Sequence, residues 1–262
     1  MTVLQVIGGG RMGEALLGGL LAAGWADEAD IAVVEAIPER RVELEARFAG
    51  VAIVDAPVAA DGTVIAVKPG DVAAACAFVV AAGTGRVLSI AAGVTLDVLD
   101  GACPEIPVVR AMPNTPALVG AGAAAISGGR NAGPADLAWA ETILSSVGIV
   151  VRVPEHLLDA VTGLSGSGPA YIALVAEAMT EAGVLAGLPR ETAATLVRQT
   201  LLGTARLLVE GDSGPEELRH AVTSPGGTTA AGLRELERHG LRAAFLDAVT
   251  AAADRSRQLG AR

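Results

Sequence analysis

The chain reads as an α/β protein in two parts, first a parallel sheet with helices on both faces and then a region that is all helix. Three observations predict this. Short runs rich in Val and Ile recur from Val3 to Val153 with helical stretches between them, the pattern of a parallel sheet buried on both sides. After Pro154 no strand-like run appears, and helical patterns follow one another, punctuated by glycine and proline. With 262 residues there is room for two modest domains that each bury a core. The boundary is expected between 155 and 156, giving domains 1–155 and 156–262.

Taken in order, residues 3–7 form a first strand that passes straight into Gly8-Gly9-Gly10-Arg11-Met12-Gly13 and a helix over 14–23. This is G-x-G-x-x-G between a strand and a helix. The context supplies a tight turn, close backbone approach to a pyrophosphate and a helix N-terminus aimed at it, the fingerprint of a Rossmann dinucleotide-binding domain. A second strand, 31–35, ends in Glu35, which lies 22 residues after Gly13, near the spacing of about 20 for a carboxylate that binds the adenosine ribose. An acid there favours NAD and repels the 2′-phosphate of NADP, whereas Arg11, Arg40 and Arg41 offer compensating charge. The alternative is a carboxylate solvated at a strand end, and NADPH against NADH stays open.

Further strands are expected at 51–54, 63–67, 87–90 and 108–112, with helices at 38–48 and 71–82. Their carboxyl ends open into short loops: Ala66-Val67 into Lys68-Pro69, then Ala91-Ala92-Gly93, then Met112-Pro113-Asn114-Thr115-Pro116. Ligands of such sheets bind at these ends, so the loops are candidates to flank a cofactor; ordinary turn chemistry is the alternative. A hairpin-like piece at 123–127, a helix at 134–146 and a strand at 149–153 extend the sheet. Helices are then expected at 156–186, 189–210, 215–222, 226–239 and 241–259. The first is interrupted by Gly163, Gly166, Gly168 and Pro169, which should kink it. Gly166-Ser167-Gly168 is no nucleophile elbow, since no strand precedes it and G-x-S-x-G is absent.

Composition narrows the function classes. The apolar fraction of 52% is carried largely by alanine, and the uncharged runs 111–129 and 160–176 are broken by proline, asparagine and glycine, so no membrane span is expected. A formal charge of -10 without a basic stripe argues against nucleic acid. Met1 runs into a strand without a basic leader, which predicts a cytoplasmic protein. Cys76 and Cys103 read as buried thiols, and no metal site is visible in the scattered histidines.

One stretch of the helical half stands out: Val222-Thr223-Ser224-Pro225-Gly226-Gly227-Thr228-Thr229 ahead of a helical run. Ser224 and Pro225 are expected to begin the helix, leaving the amides from Gly226 to Thr229 as an anion site with the two threonine hydroxyls beside it. An ordinary helix start is the alternative.

These residues, with Asp159-Ala160-Val161-Thr162-Gly163-Leu164-Ser165-Gly166-Ser167-Gly168-Pro169-Ala170-Tyr171, Gln199-Thr200, Ala66-Val67-Lys68-Pro69 and Met112 to Pro116, make a chain that resembles the pyrroline-5-carboxylate reductase family over nearly its whole length. The resemblance implies reduction of the C=N bond of 1-pyrroline-5-carboxylate to L-proline by NADPH or NADH. It implies that Ile7 to Met12 and Ala66 to Pro69 line the cofactor and that the loop Ser224, Gly226, Gly227, Thr228 and Thr229 holds the substrate carboxylate. Thr229 would contact the ring nitrogen as the catalytic position. It further implies homodimers through the helical domain, decamers of five dimers, and a site that joins one chain's cofactor domain to its partner's helices. Glu35-Ala36 departs from the Asn-Arg or Ser-Arg pair of many NADPH-using members. A β-hydroxyacid dehydrogenase would want a lysine on the helix after Gly163, yet Lys68 is the only lysine in the chain. A dinucleotide-sensing scaffold without turnover is the non-enzyme alternative, against which the intact Ser224 to Thr229 loop argues.

Overall fold

The computed structural model describes residues 2–260 and places them in two compact units, one reaching Ser167 and taking in the residues from Thr250 onward, the other Gly168–Val249. In the first unit β1 (Thr2–Ile7), β2 (Ile31–Val34), β3 (Ala52–Val54), β4 (Ala60–Ile65), β5 (Val87–Ser89), β6 (Val108–Met112), β7 (Gly122–Gly128) and β8 (Gly148–Arg152) form one sheet, ordered β3-β2-β1-β4-β5-β6-β7-β8. Every neighbouring pair is parallel except β6 with β7. The piece read as hairpin-like is thus the antiparallel return from β6 through a short 3-10 turn, Thr115–Val119. The chain leaves β1 toward β2 and β3 and comes back to the other side of β1 with β4. That reversal opens a crevice at the carboxyl ends of β1 and β4.

Alternation along the strands divides the core into two layers. Leu4, Val6, Val33, Val64, Leu88 and Val109 point to one face, where they meet Leu16, Leu17 and Leu20 of α1 (Arg11–Ala22), Leu44 of α2 (Pro38–Arg47), and Trp139, Ile143 and Leu144 of a later helix. Ile7, Val34, Ile65, Val87 and Val108 point to the other, against Val72, Cys76 and Val79 of α3 (Val72–Ala82) and Leu96 and Leu99 of α4 (Leu96–Ala102). The later helix is α5 (Pro134–Ser145), which starts on a proline, as α2 does, and whose Asp136 accepts the Gly133 amide at 2.9 Å. The helix α4 has no counterpart in the sequence reading. Its seven residues bury only Leu96 and Leu99, too short a pattern to show a period. Cys76 and Cys103 are free and fully buried. The Cys103 thiol is pushed well up by its hydrogen bond with Cys76 and then by burial.

The helix read as 156–186 is broken where its glycines lie. A 3-10 turn (Glu155–Leu157) leads to α6 (Leu158–Val161), a π-helical turn (Thr162–Gly166) and α7 (Gly168–Leu185). Leu158 is fully buried, which carries the first unit past residue 155. The last helix comes back to the same unit: Ser256, buried, donates to Asp159 Oδ1 at 2.6 Å. The second unit holds α7, α8 (Arg190–Glu210), α9 (Pro215–Ala221), α10 (Thr228–Arg238) and the start of α11 (Leu241–Gly260). Among the described residues α7 buries none of its side chains and α8 only Ala193 and Val197, while Leu174, Leu185 and Val209 stand exposed. Among the described residues no helix is long and apolar enough to cross a membrane.

Candidate functional site

The crevice at the ends of β1, β2 and β4 is a cavity of about 580 Å³. Three glycines shape its floor. Gly8 has φ +102°, and a Cβ there would fall 2.7 Å from the Ala66 carbonyl oxygen; at Gly13 it would fall 2.1 Å from the Gly8 carbonyl oxygen. Both clashes are with backbone, so the turn closes only with glycine at these positions. At Gly10, the residue that caps α1, a Cβ would meet nothing within 4 Å. The space above Gly10 is therefore open, and the first intrahelical bond, Glu14 N–H to the Gly10 carbonyl, leaves the amides of Arg11, Met12 and Gly13 as free donors. This cradle fits a dinucleotide pyrophosphate.

Glu35 sits at the end of β2 with 9% of its surface exposed. Its Oε2 accepts the Gly9 amide and its Oε1 the Ile37 amide, both at 2.9 Å. The carboxylate is thereby pinned along the crevice wall, with lone pairs left for ribose hydroxyls. Arg40 donates from Nε to the Gly9 carbonyl at 2.8 Å and pairs with Glu14, and Arg41 donates from Nη1 to the carbonyls of Glu35 and Ala36 at 2.9 and 3.1 Å. Lys68, exposed at the end of the β4 loop, is the one basic residue among the described residues that lines the cavity.

Of the residues singled out in the sequence, the structure gathers Ile7, Gly8, Gly10, Glu35, Ala66, Val67 and Lys68 around this one cavity. Gly9 lies behind it on Glu35, Gly13 beneath Gly8, and Pro69 begins the 3-10 turn into α3. Others lie elsewhere. Met12 packs on the core, and Arg11 lines a separate cavity with Glu14, Arg47 and Phe48. Ala92 and Gly93 are not on the cavity wall, and a Cβ on Gly93 would rest 3.7 Å from Leu259. Pro113 is buried, Met112 lies against Gly166, and both ends of the Asn114 amide are bound by protein. The cavity also uses Asp55, Pro57, Asp71 and Phe78, which the sequence reading missed. Asp55 follows the three-residue β3, and its place after a strand was the available signal.

In the second unit the Ser224 loop differs from the expected helix start. The Gly227 amide donates to the Ser224 carbonyl at 3.0 Å, closing a four-residue turn with Pro225 and Gly226 at its centre. Gly226 has φ +68°, the left-handed value that the third position of a type II turn requires. The helix α10 then begins at Thr228, with Gly227 as its cap and Ala231 N–H to the Gly227 carbonyl as its first bond. The correction is physical: proline at the second turn position makes the turn cheaper than two more residues of helix, and it consumes the Gly227 amide. The exposed donors are instead the amides of Thr228, Thr229 and Ala230, and among the described residues neither threonine hydroxyl has a hydrogen-bond partner. Backbone donors, a helix terminus and two hydroxyls are a donor set that fits an anion.

Two family models match the chain: one described as pyrroline-5-carboxylate reductase dimerisation over residues 155–259, the other as NADP oxidoreductase, coenzyme F420-dependent, over 3–93. A pyrroline-5-carboxylate reductase of Synechocystis sp. is 47% identical over 98% of each chain. Among solved structures, a pyrroline-5-carboxylate reductase from Coxiella burnetii superposes with a TM-score of 0.93 at 36% identity, covering 98% of both chains. A Plasmodium falciparum pyrroline carboxylate reductase with NADP bound gives 0.84 at 29% identity, covering 99% of this chain and 98% of that one.

Proposed function

The chain belongs to the pyrroline-5-carboxylate reductase family, and from that membership we propose that it reduces the C=N bond of 1-pyrroline-5-carboxylate to give L-proline. What supports the reading is that a single chain holds both a crevice that fits a dinucleotide and a glycine-capped helix start whose amides at Thr228, Thr229 and Ala230 are unpaired. The reduced nicotinamide cofactor supplies the hydride. Everything else falls to the chain's own groups.

Gly8, Gly10 and the first amides of α1 seat the pyrophosphate, and Glu35 takes the adenosine ribose. Lys68 adds the local positive charge. The amides of Thr228, Thr229 and Ala230 hold the substrate carboxylate, and the Thr229 hydroxyl lies beside them to meet the ring nitrogen. A threonine hydroxyl is a weak acid, so its part is positioning and passing a proton drawn from solvent. Holding the imine carbon against the nicotinamide supplies most of the acceleration. Because the Glu35 carboxylate is fixed by two amides at the ribose end of the crevice, NADH is the favoured cofactor over NADPH.

The helical region is the dimerisation region, and the apolar side chains that α7 and α8 leave exposed fit a partner copy of the chain. Assembly of five dimers into a decamer and a cytoplasmic location complete the proposal. Spectrophotometric assay of the purified protein with pyrroline-5-carboxylate and each reduced dinucleotide tests it. Consumption of dinucleotide with formation of proline is the expected result, and no turnover with either cofactor overturns the reading.

A further inference from the structure

Every carbonyl in a helix normally receives the N–H four residues on. For Ser165 that residue is Pro169, which has no N–H to give. The π-helical turn at Thr162–Gly166 shifts the pattern, with Ser167 N–H reaching the Thr162 carbonyl at 2.8 Å, and still provides no donor at residue 169. The missing donor comes from another element. Asn114, in the loop after β6, donates from Nδ2 to the Ser165 carbonyl at 3.1 Å, while its Oδ1 accepts the Ala123 amide at 2.8 Å. One side-chain amide thus ties three pieces together: the loop at the carboxyl end of β6, the start of β7 and the glycine-rich turn.

We infer that Asn114 is a positioning residue of the reductase: its amide stands in for the backbone donor that Pro169 lacks and thereby holds the Met112-Pro113-Asn114 loop in register with the Thr162–Gly166 turn. The loop has a second contact with that turn, Met112 against Gly166, where a Cβ would come within 2.6 Å of the Met112 methyl. With both ends of its amide committed to protein, Asn114 acts through the loop and not by touching the dinucleotide. None of the residues lining the dinucleotide crevice belongs to this joint. Loss of the joint therefore affects alignment at the reacting end and spares dinucleotide affinity. This rests on the reading of the chain as a reductase whose β4 to β6 ends face the reacting groups.

The experiment is a double-mutant cycle with two readouts, kcat in the reductase assay and dinucleotide Kd by fluorescence titration without substrate. Asn114→Ala is expected to lower kcat about 10-fold, the scale of a small misalignment, with Kd within about twofold of wild type. Pro169→Ala restores a backbone N–H to Ser165, so the same Asn114→Ala change made in that background should cost clearly less. Asn114→Asp keeps the shape and the acceptor for Ala123 but loses the donor. Relative to wild type, its deficit should shrink at acidic pH, where the protonated carboxyl donates again; it carries the test if the alanine variant does not fold. An unchanged kcat in Asn114→Ala, or an equal loss with and without Pro169, overturns the inference. A Kd that rises as far as kcat falls also overturns it, by making Asn114 a cofactor contact. Wild-type protein without reductase activity would instead defeat the functional reading, a separate result.

Discussion

Replacing Glu35 separates what its charge does from what its shape does. Glu35 is 9% exposed, and each of its carboxylate oxygens accepts one backbone amide, from Gly9 and from Ile37. At a separation of about 6 Å, one unit of like charge would cost a bound 2′-phosphate about 3 kcal/mol at an effective dielectric constant of 20 and about half that with stronger screening. Glu35→Gln removes this repulsion but points an NH2 group at one of the two amide donors, a mismatch of about 1–3 kcal/mol that both cofactors feel alike. In the ratio of kcat/KM for NADPH to that for NADH the mismatch cancels and the charge remains. The ratio is expected to rise about 10- to 100-fold. Glu35→Ser should move it the same way, since it too removes the negative charge from the end of β2. Steady-state kinetics with both dinucleotides at saturating pyrroline-5-carboxylate measures the effect. If the ratio stays within twofold of wild type in both variants, the carboxylate braces the turn and does not read the 2′ position.

Thr229→Val keeps the backbone donors and removes the hydroxyl, so kcat and kcat/KM should fall together by roughly 10- to 1000-fold, with Thr229→Ser recovering much of the rate; a valine variant within twofold of wild type removes Thr229 from the chemistry. Gly13→Ala puts a methyl 2.1 Å from the Gly8 carbonyl oxygen, a backbone atom that cannot swing aside, so dinucleotide KM should rise at least about 10-fold as the turn opens, and an unchanged KM would show that the turn is not the pyrophosphate seat. Glu155 accepts from Arg110 Nη1 at 2.8 Å and from the Leu96 amide at 2.6 Å, with the Arg110 side chain 8% exposed and that of Glu155 32%. Glu155→Ala strands a buried guanidinium and should cost about 2–4 kcal/mol in urea unfolding, the partial exposure of Glu155 keeping it below a fully buried pair, whereas Glu155→Gln retains an acceptor and should cost less than half of that; equal losses would show that the charge alone holds the pair and that a neutral acceptor contributes nothing.

Much of the cofactor half was legible because its chemistry is written in local spacing. Val and Ile runs alternate with helices, Gly8, Gly10 and Gly13 stand at fixed offsets after a strand, and an acid closes the next strand; the structure uses all of these in one crevice. What stayed hidden depends on contacts distant in sequence. Asp55 and Phe78 reach the crevice only because β3 and α3 are brought beside β1 and β4 by strand pairing. The commitment of Asn114 to Ser165 and Ala123 cannot be seen in a loop read by itself. The helix beginning was misplaced by two residues for a different reason. Ser-Pro-Gly-Gly suits both a capped helix and a type II turn, and Gly226 at φ +68° decides for the turn.

A formal charge of -10 makes this an unusual host for the two anionic ligands proposed for it. Clusters of arginine would be the obvious solution, yet Arg40, Arg47, Arg110 and Arg152 are all paired with carboxylates of the chain, and Lys68 alone among the described basic residues lines the crevice. In the proposed reading the anions are met by backbone instead. The first turns of α1 and α10 each present unpaired amides beyond a glycine cap, Gly10 in one case and Gly227 in the other. Fixed amide dipoles recognise a phosphate or carboxylate at short range and add no net charge that would draw other polyanions. They also cannot be deleted by substituting a side chain. The glycines that let the backbone adopt these shapes are then the residues on which both proposed binding functions depend, which is why the two most informative motifs of the sequence are glycine motifs and contain almost no charge.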